Sequence, residues 1–410
     1  MAKMLASEVR PHVGIYGRAN VGKSALLNAL TGQRVAIVSE HAGTTTDPVR
    51  KAAEIRGGGP VVFIDTAGFN DHSALGEERM AMTIDTMRQV DLALLLFRTD
   101  EWGEPEREIV SLLKKYETPF LLVATHADGA SLSPTLCDKL LEYSPMKPIE
   151  VGSTHGLGIE TLLSAIAKSL KAYERPRGVL DGLVRAGDVV LLIAPIDDAA
   201  PQGRLILPQV QTLRAALDCN AIPVIVRETE IAAVLSLLQR KPALAVTDSQ
   251  IFSRAAEEVP DDIPLTSFSM LLARQKGEFE TYLRSAPAID GLKKGDRVLI
   301  VEGCTHQVSC EDIGRVKIPG WINQRAGGEL RYDFVSGMAR LPEGLSQYSL
   351  ALICGGCMST PRMIRGRVEE LTEHGVPVVN YGMAIAYLQG VYDRAVSALT
   401  GEALVSCIGE

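Results

Sequence analysis

A glycine-rich segment near the amino terminus constrains the fold of this sequence more than any other feature. Residues 17–24 read Gly-Arg-Ala-Asn-Val-Gly-Lys-Ser, after an apolar run at 13–16 and before a helical pattern at 25–30. Glycines let the backbone curl so that its N–H groups and the start of the following helix surround phosphate oxygens. In such a loop Lys23 reaches the β- and γ-phosphates and Ser24 binds magnesium. The segment therefore predicts a strand, a phosphate-binding loop and a helix.

A second short motif follows the apolar run at 61–64 and completes the phosphate site. Residues 65–68 read Asp-Thr-Ala-Gly. They would place a carboxylate at a strand end, where it can hold magnesium through water, and a glycine N–H near the γ-phosphate. Between the two motifs, residues 43–47 read Gly-Thr-Thr-Thr-Asp and form a polar loop able to close over a nucleotide. The order of these elements predicts a GTPase that binds GTP or GDP with Mg²⁺.

The alternation of apolar and helical segments indicates the architecture. It continues along the whole 410-residue chain and is typical of mostly parallel sheets covered by helices. We predict an α/β fold in which a P-loop GTPase domain at 1–174 is followed by two further parallel α/β domains at 175–265 and 266–410. Among the predicted helices are one at 267–285 and one at 384–399. Predicted strands lie at 13–16, 61–64, 92–97, 120–124, 148–151, 188–194, 222–226, 243–246, 263–266, 298–301, 330–334, 350–353 and 376–379.

Charge and composition exclude several classes of protein. With 42 Lys and Arg against 50 Asp and Glu, the formal net charge is −8, and no basic run is long enough to form a nucleic-acid-binding stripe. No apolar stretch approaches the roughly 20 residues that cross a bilayer. Residues 1–12 lack the apolar core of a signal peptide. We therefore expect a cytoplasmic protein that binds neither membranes nor nucleic acids.

Three of the seven cysteines are spaced to form a metal site. Cys304 follows the predicted strand at 298–301, and Cys354 and Cys357 follow the one at 350–353. If both strands are parallel in one sheet, their carboxyl ends share an edge, which is where α/β folds place ligands. The two glycines between Cys354 and Cys357 permit a tight turn that points both sulfurs to one side. We therefore predict that the three thiols converge.

Local chemistry leaves the metal open between a 4Fe-4S cluster and zinc. Three thiolates leave one position of a four-iron cluster for another ligand, whereas zinc held by three cysteines and one histidine would form a closed structural site. Besides an exogenous small ligand, the candidates for the fourth position are His306, Cys310, Glu311 and Asp312. Cys137 and Cys219 are expected to be packed or incidental thiols.

The phosphate-site motifs resemble those of the translation-factor-like GTPases. Asn20 together with the Gly-Thr-Thr pattern resembles the branch that includes ribosome-assembly and tRNA-modification GTPases. By that resemblance Thr45 binds magnesium and Asn20 helps to place K⁺ near the phosphates. Phe69 stands where many signalling GTPases have a water-orienting glutamine, which implies slow hydrolysis. The family's Asn-Lys-x-Asp motif is Thr-His-Ala-Asp here, so Asp128 remains to accept hydrogen bonds from guanine.

The motifs and the resemblance together define the predicted nucleotide site. Ser153 and Thr154 lie where the family places a backbone contact to the guanine oxygen. The predicted catalytic residues are Lys23, Ser24, Thr45, Asp65 and Gly68. The predicted nucleotide-binding residues are Gly17, Asn20, Val21, Gly22, Lys23, Ser24, Ala25, Thr45, Asp65, Asp128, Ser153 and Thr154. Ser24 and Thr45 are the predicted Mg²⁺ ligands, and Asn20 is the predicted K⁺ ligand.

The combination of parts resembles the maturation GTPases of di-iron hydrogenases, the HydF family. The resemblance spans essentially the full chain and rests on a GTPase motif set, a middle α/β unit without a catalytic cluster, and a C-terminal Cys-x-His with a distant Cys-x-x-Cys. It implies a 4Fe-4S scaffold and carrier that delivers a di-iron subcluster to apo-hydrogenase. The cluster ligands would be Cys304, Cys354 and Cys357, with His306 or Glu311 as the candidate fourth ligand.

The same resemblance implies partners. These are two radical-SAM maturation enzymes, the apo-hydrogenase, and a second copy of the chain that forms a homodimer through the middle domain. One departure from the family pattern is clear. The family usually has a histidine immediately before its Cys-x-x-Cys, and this sequence has Ile353 there, which cannot bind a metal.

Two other functions remain compatible with the sequence. One is a GTPase acting on RNA or ribosomes, with a zinc-stabilised C-terminal domain; the net charge of −8 and the lack of a basic, aromatic-rich strand face disfavour it. The other is an iron–sulfur redox enzyme regulated by GTP, which would need a substrate pocket that the sequence does not locate. Measured iron, sulfide and zinc contents distinguish these functions.

Overall fold

The computed structural model describes residues 10–32, 40–41, 49–69, 76–127, 129–152, 156–172, 178–195, 205–303, 313–336, 339–357 and 359–400. The chain divides into two units, Met1–Arg175 and Pro176–Glu410. Some candidate site residues lie outside the described residues: Thr45, Asp128, Ser153, Thr154, Cys304, His306, Cys310, Glu311 and Asp312.

A seven-stranded mixed sheet forms the centre of the first unit, in the order β2-β3-β4-β1-β5-β6-β7. Its strands are β1 (His12–Tyr16), β2 (Glu40–His41), β3 (Val49–Ile55), β4 (Gly59–Asp65), β5 (Leu92–Arg98), β6 (Phe120–Thr125) and β7 (Ile149–Glu150). Strands β4, β1, β5, β6 and β7 pair in parallel, and β2 and β3 are antiparallel to their neighbours. The helices are α1 (Lys23–Gly32), α2 (Gly76–Gln89), α3 (Glu104–Lys115), α4 (Pro134–Leu140) and α5 (Ile159–Ala172).

Strand β5 shows why this sheet is covered on both faces. All of its residues except the last are buried, as expected for a central parallel strand with helices on each side. Successive side chains of a strand point to opposite faces. Leu92, Leu94 and Leu96 accordingly join one hydrophobic cluster and Phe97 joins the other. The carboxyl ends of β1, β4, β5 and β6 form one rim of the sheet, and a hydrophobic cluster covers each face of the sheet beside it.

Two four-stranded parallel sheets form the second unit, in the orders β11-β10-β8-β9 and β13-β12-β14-β15. The strands are β8 (Val189–Ile193), β9 (Ile222–Val226), β10 (Leu244–Thr247), β11 (Leu265–Ser267), β12 (Arg297–Glu302), β13 (Arg331–Ser336), β14 (Leu350–Ile353) and β15 (Val378–Asn380). The predicted α/β fold, with a GTPase-type sheet followed by two parallel sheets, is confirmed.

The helices of the second unit pack between and around these sheets, and one continuous hydrophobic cluster includes residues of both sheets. They are α6 (Leu207–Asp218), α7 (Ile231–Leu237), α8 (Phe252–Glu258), α9 (Phe268–Gln275), α10 (Phe279–Ser285), α11 (Ile318–Ala326), α12 (Pro361–Glu373), α13 (Tyr381–Leu388) and α14 (Tyr392–Thr400). Within the described ranges, no helix is both long and apolar enough to cross a membrane.

Two helices predicted as continuous are each divided in the structure. The helix predicted at 267–285 ends at Gln275 and begins again at Phe279, with Gly277 at φ +95° between α9 and α10. The helix predicted at 384–399 is divided between α13 and α14 at Gly390, where φ is +74°. Because residues with side chains rarely adopt this backbone conformation, each glycine marks the end of a helix.

Candidate phosphate-binding loop and cysteine site

The segment between β1 and α1 forms a tight loop at the rim of the first sheet. Gly17 and Gly22 have φ values of +148° and +98°, and Asn20 has a φ of +62°. A Cβ atom on Gly17 would lie 2.5 Å from the backbone oxygen of Leu96 in β5. Only glycine fits at this position, because the loop turns directly over the end of the neighbouring strand.

Lys23, the first residue of α1, directs its side chain back into this loop. Its Nζ donates hydrogen bonds to the backbone oxygens of Gly17 at 3.1 Å and Arg18 at 2.8 Å. The side chain is buried, and burial lowers the pKa of Lys23 while the charge of Asp65 opposes that shift. The loop thus holds an ammonium group inside its curve, where it can bind a nucleotide phosphate.

Ser24 and Asp65 lie together at the rim. The Ser24 hydroxyl donates to Asp65 Oδ2 at 2.6 Å, and Asp65 Oδ1 is buried with no hydrogen-bond partner among the described residues. A buried carboxylate oxygen without a partner is costly. Carboxylate, hydroxyl and water oxygens are the ligands that Mg²⁺ prefers. The oxygens of Ser24 and Asp65 therefore fit a Mg²⁺ site, which these two side chains would hold together.

Gly68 lies against the other side of the loop. A Cβ atom there would be 2.7 Å from the backbone nitrogen of Ala19, so the segment after β4 approaches the loop through backbone alone. Phe69 N–H donates to Gly17 O at 3.0 Å, and the Phe69 side chain is fully buried in a hydrophobic cluster. Phe69 therefore packs into the core and offers no group to orient water.

Thr125, the last residue of β6, lies on the same rim as the loop and contacts it. Its buried hydroxyl lies 2.9 Å from the backbone oxygen of Val21 and 3.1 Å from that of Phe97. His126 follows with a φ of +63°, and its Nδ1 lies 3.1 Å from the Thr125 hydroxyl. From the sequence, we noted only that this threonine replaces an asparagine. The structure shows that it contacts the phosphate-binding loop, across more than one hundred residues of sequence.

The cysteine pair lies at the rim of the last sheet, where β12 and β14 are parallel neighbours with Val301 opposite Ile353. This confirms the predicted pairing of these strands. Cys354 N–H donates to Val301 O at 2.9 Å. A Cβ atom on Gly303 would lie 3.0 Å from Gly356 Cα and 3.7 Å from Cys354 Sγ. The backbone that leads into Cys304 is therefore packed against the turn between the two described cysteines.

Polar side chains from neighbouring elements hold the segment around Cys354 and Cys357 in place. Buried Lys276 donates to Ser359 O, and the Thr360 hydroxyl accepts from Met363 N–H at 3.2 Å to begin α12. Ser269 donates to Asn380 Oδ1 at 3.1 Å, and a Cβ atom on Gly355 would lie 3.0 Å from Ser269 Oγ. These hydrogen bonds and close contacts hold the segments on either side of the turn in place.

The nearest strand-end carboxylate has other partners. Glu302, the last residue of β12, is paired with Arg315 at 2.7 Å and accepts from Ser336. Among the described residues, no three His, Cys, Asp or Glu side chains are grouped as a metal site. Cys137 lies in α4 and Cys219 follows α6, and neither cysteine forms a disulfide.

Comparison with protein families matches three segments of the chain. Residues 12–126 match the 50S ribosome-binding GTPase family. Residues 179–277 match the hydrogen maturase F dimerization domain, and residues 280–398 match the hydrogen maturase F tetramerization domain. The two latter matches together span more than half of the chain.

Relatives of the N-terminal segment are GTPases. GTPase Era of Lactobacillus helveticus is 35% identical over 164 residues, which are 38% of this chain and 54% of that protein. The tRNA modification GTPase MnmE of Nitrosomonas europaea is 37% identical over 159 residues, 38% of this chain and 34% of that protein. The chain thus spans about half or less of the length of these relatives. The sequence resemblance of the first domain to ribosome-assembly and tRNA-modification GTPases is confirmed.

Solved structures similar to the chain include Era from Aquifex aeolicus, with 21% identity and a TM-score of 0.34, covering 54% of this chain and 93% of that one. The G domain of the T. maritima FeoB iron transporter has 23% identity and a TM-score of 0.31, covering 39% of this chain and 98% of that one. The family matches and the relatives agree that the first unit is a GTPase domain.

Proposed function

Because the chain belongs to the hydrogen maturase F family, with that family's dimerization and tetramerization domains behind a GTPase domain, we propose that it hydrolyses GTP and serves as a cytoplasmic 4Fe-4S scaffold. In this role it carries the di-iron subcluster and delivers it to apo di-iron hydrogenase. Two radical-SAM maturation enzymes are the proposed partners that build the subcluster.

The GTPase half of the proposal is supported by the loop between β1 and α1. Lys23 supplies the charge for the phosphates, and Ser24 and Asp65 supply oxygens for Mg²⁺. Gly68 packs against Ala19 of the loop, where its N–H would face the γ-phosphate. Thr45 completes the Mg²⁺ site, and Asp128, Ser153 and Thr154 recognise guanine. Phe69 is packed in the core. Asn20 would hold K⁺, and this ion would supply positive charge near the phosphates in place of a side chain at position 69.

The contact of Gly303 with Gly356 and Cys354 carries the cluster half of the proposal. Cys304 is the next residue in the chain, and consecutive Cα atoms are about 3.8 Å apart. Cys304, Cys354 and Cys357 are therefore the proposed thiolate ligands. Glu302 is paired with Arg315. In keeping with the family resemblance, His306 or Glu311 is the proposed candidate for the fourth, exchangeable position. When bound, the cluster supplies an iron site open to an incoming bridging ligand.

Metal analysis tests this function directly. We expect the chain purified without oxygen to contain about four iron and four sulfide ions per protomer and to show a reducible paramagnetic signal. In a separate assay, we expect it to hydrolyse GTP faster in KCl than in NaCl. One zinc per protomer without iron would overturn the scaffold function and favour the RNA- or ribosome-associated GTPase. Equal rates in the two salts would remove K⁺ from the site, and no hydrolysis in either would remove the GTPase activity.

The homodimer is proposed to form along β9, the terminal strand of its sheet. Ile222 and Ile225 of β9 are 51% and 41% exposed, and Leu217 at the end of α6 is 53% exposed. An open apolar strand edge favours pairing with another strand. These residues lie within the segment that matches a dimerization domain, which supports an interface between two copies at this edge.

Charged substitutions in β9 should disrupt the proposed dimer interface. Replacing Ile222 and Ile225 together with lysine is expected to halve the mass measured by light scattering and to weaken association at least about 100-fold, because burying one isoleucine contributes roughly 1.5–3 kcal/mol. Leu141→Lys, at an exposed apolar residue after α4, is the matched control and should keep the wild-type mass. An unchanged mass in the double variant would place the interface elsewhere.

A further inference from the structure

Arg18, the second residue of the phosphate-binding loop, points its side chain away from the nucleotide site and toward α3. Its Nε and Nη2 donate to Oε1 and Oε2 of Glu106 at 2.6 Å and 2.7 Å. Its Nη1 donates to Glu101. This is a bidentate ion pair between residues 88 positions apart in sequence, with the geometry that makes arginine–carboxylate pairs strong and directional.

The pair is enclosed at the start of α3. Glu106 is 1% exposed, and its Oε2 also accepts from the Gly103 N–H at 2.8 Å. A Cβ atom on Gly103 would lie 2.7 Å from Arg18 Nη2, so the glycine leaves room for the guanidinium in this position. The hydrogen bond to Glu106 is the main reason that the pKa of Arg18 is raised. Since an uncompensated buried carboxylate is costly, Glu106 and Arg18 depend on each other.

The backbone of Arg18 belongs to the phosphate site itself. Its carbonyl oxygen accepts from Lys23 Nζ at 2.8 Å. Arg18 also pairs in parallel with Phe69, whose N–H donates to Gly17 O at 3.0 Å. Arg18 thus connects the loop with three other parts of the domain: the Lys23 side chain, the segment that follows β4, and helix α3.

We propose that the Arg18–Glu106 ion pair is a positioning device that holds the phosphate-binding loop in the shape that accepts a nucleotide. This inference rests on the proposed GTPase function and adds to it two residues that sequence motifs do not assign. Neither side chain binds GTP in this proposal. Arg18 acts through its own backbone on Lys23, and Glu106 acts through Arg18.

Glu106→Gln removes the charge while it keeps the shape of the side chain. We expect the Kd for a fluorescent GDP analogue and the KM for GTP to rise about 10-fold or more, and kcat at saturating GTP to change less than about threefold, because the variant loosens the loop without touching the reacting groups. Arg18→Lys should retain more affinity than Arg18→Met. The double variant Arg18→Met with Glu106→Gln should bind no more weakly than Arg18→Met alone, because both changes break one interaction.

Asp100→Asn is the matched control. It breaks the exposed Arg98–Asp100 ion pair at the end of β5 and should leave the Kd for the GDP analogue unchanged. Iron content and thermal unfolding show whether each variant is folded. If Glu106→Gln does not fold, the same measurements on Arg18→Lys test the positioning role. Normal GTP binding by Glu106→Gln, or strictly additive losses in the double variant, would overturn the positioning role alone. A wild-type chain that does not bind GTP would overturn the proposed function, and this role with it.

Discussion

Cys354→Ser is expected to abolish stable iron–sulfur binding and to leave the Kd for GDP unchanged. Iron–sulfur clusters are held by cysteine thiolates, and a serine hydroxyl stays protonated at neutral pH, so serine is a poor replacement for a cluster ligand. The residue lies directly after β14, where its N–H is fixed by Val301 O, so the substitution changes one atom at a rigid position. Cys357→Ser should have the same effect. Iron, sulfide and the paramagnetic signal are measured after anaerobic reconstitution.

Cys137→Ser and Cys219→Ser are matched controls, because both are half-buried cysteines that form no disulfide and lie away from the turn after β14. Both variants should retain about four iron per protomer. Retention of the full iron content in Cys354→Ser would remove Cys354 from the site. Joint loss of iron and nucleotide binding would indicate general misfolding, and for that reason both are measured on the same preparation.

Lys23→Ala is expected to lower the rate of GTP hydrolysis about 100- to 1,000-fold while iron content stays unchanged. Removal of one preorganised donor that faces transition-state charge has effects of that size in other enzymes. The Lys23 ammonium is already held inside the loop by two backbone oxygens, so it needs little rearrangement to meet a phosphate. Single-turnover measurement separates the chemical step from nucleotide binding.

Lys51→Ala gives the comparison for that variant. Lys51 lies in β3 of the same sheet, and its Nζ is hydrogen-bonded to Asn28 at an exposed position. Its loss should change the rate less than about twofold. If Lys23→Ala turns over GTP at the wild-type rate, the loop is not the catalytic phosphate site.

Much of the parallel architecture was predictable because its strands are continuous apolar runs. Strands β1, β5, β6 and β14 begin or end within a residue of the predicted segments. Such runs are typical of strands with both faces covered. The shared rim of β12 and β14 followed from the same reasoning, since parallel neighbours end on one side of a sheet.

Elements with mixed composition could not be predicted in this way. Strand β3 carries Arg50, Lys51 and Glu54, and its pairing with β4 becomes clear only from the hairpin at Gly57–Gly59, where two glycines have positive φ. The breaks at Gly277 and Gly390 were also missed, because a single glycine is often tolerated inside a helix. Only the structure shows which glycines adopt the left-handed conformation.

The motif residues of the phosphate site were predictable from the sequence, but the long-range contacts that hold its loop were not. Lys23, Ser24 and Asp65 are identified by spacing alone. The contacts of Thr125 with Val21 and of Arg18 with Glu106 join residues 104 and 88 positions apart, and no local pattern reveals such pairs. They depend on how β1, β6 and α3 meet at one rim.

The open apolar edge of β9 also affects how the protein must be made. If this edge is the proposed dimer interface, a newly synthesised copy exposes it before a second copy can cover it, and unpaired apolar strands are prone to aggregate. Recovery of soluble protein should therefore depend on how quickly copies meet, and production that favours rapid assembly should give the better yield.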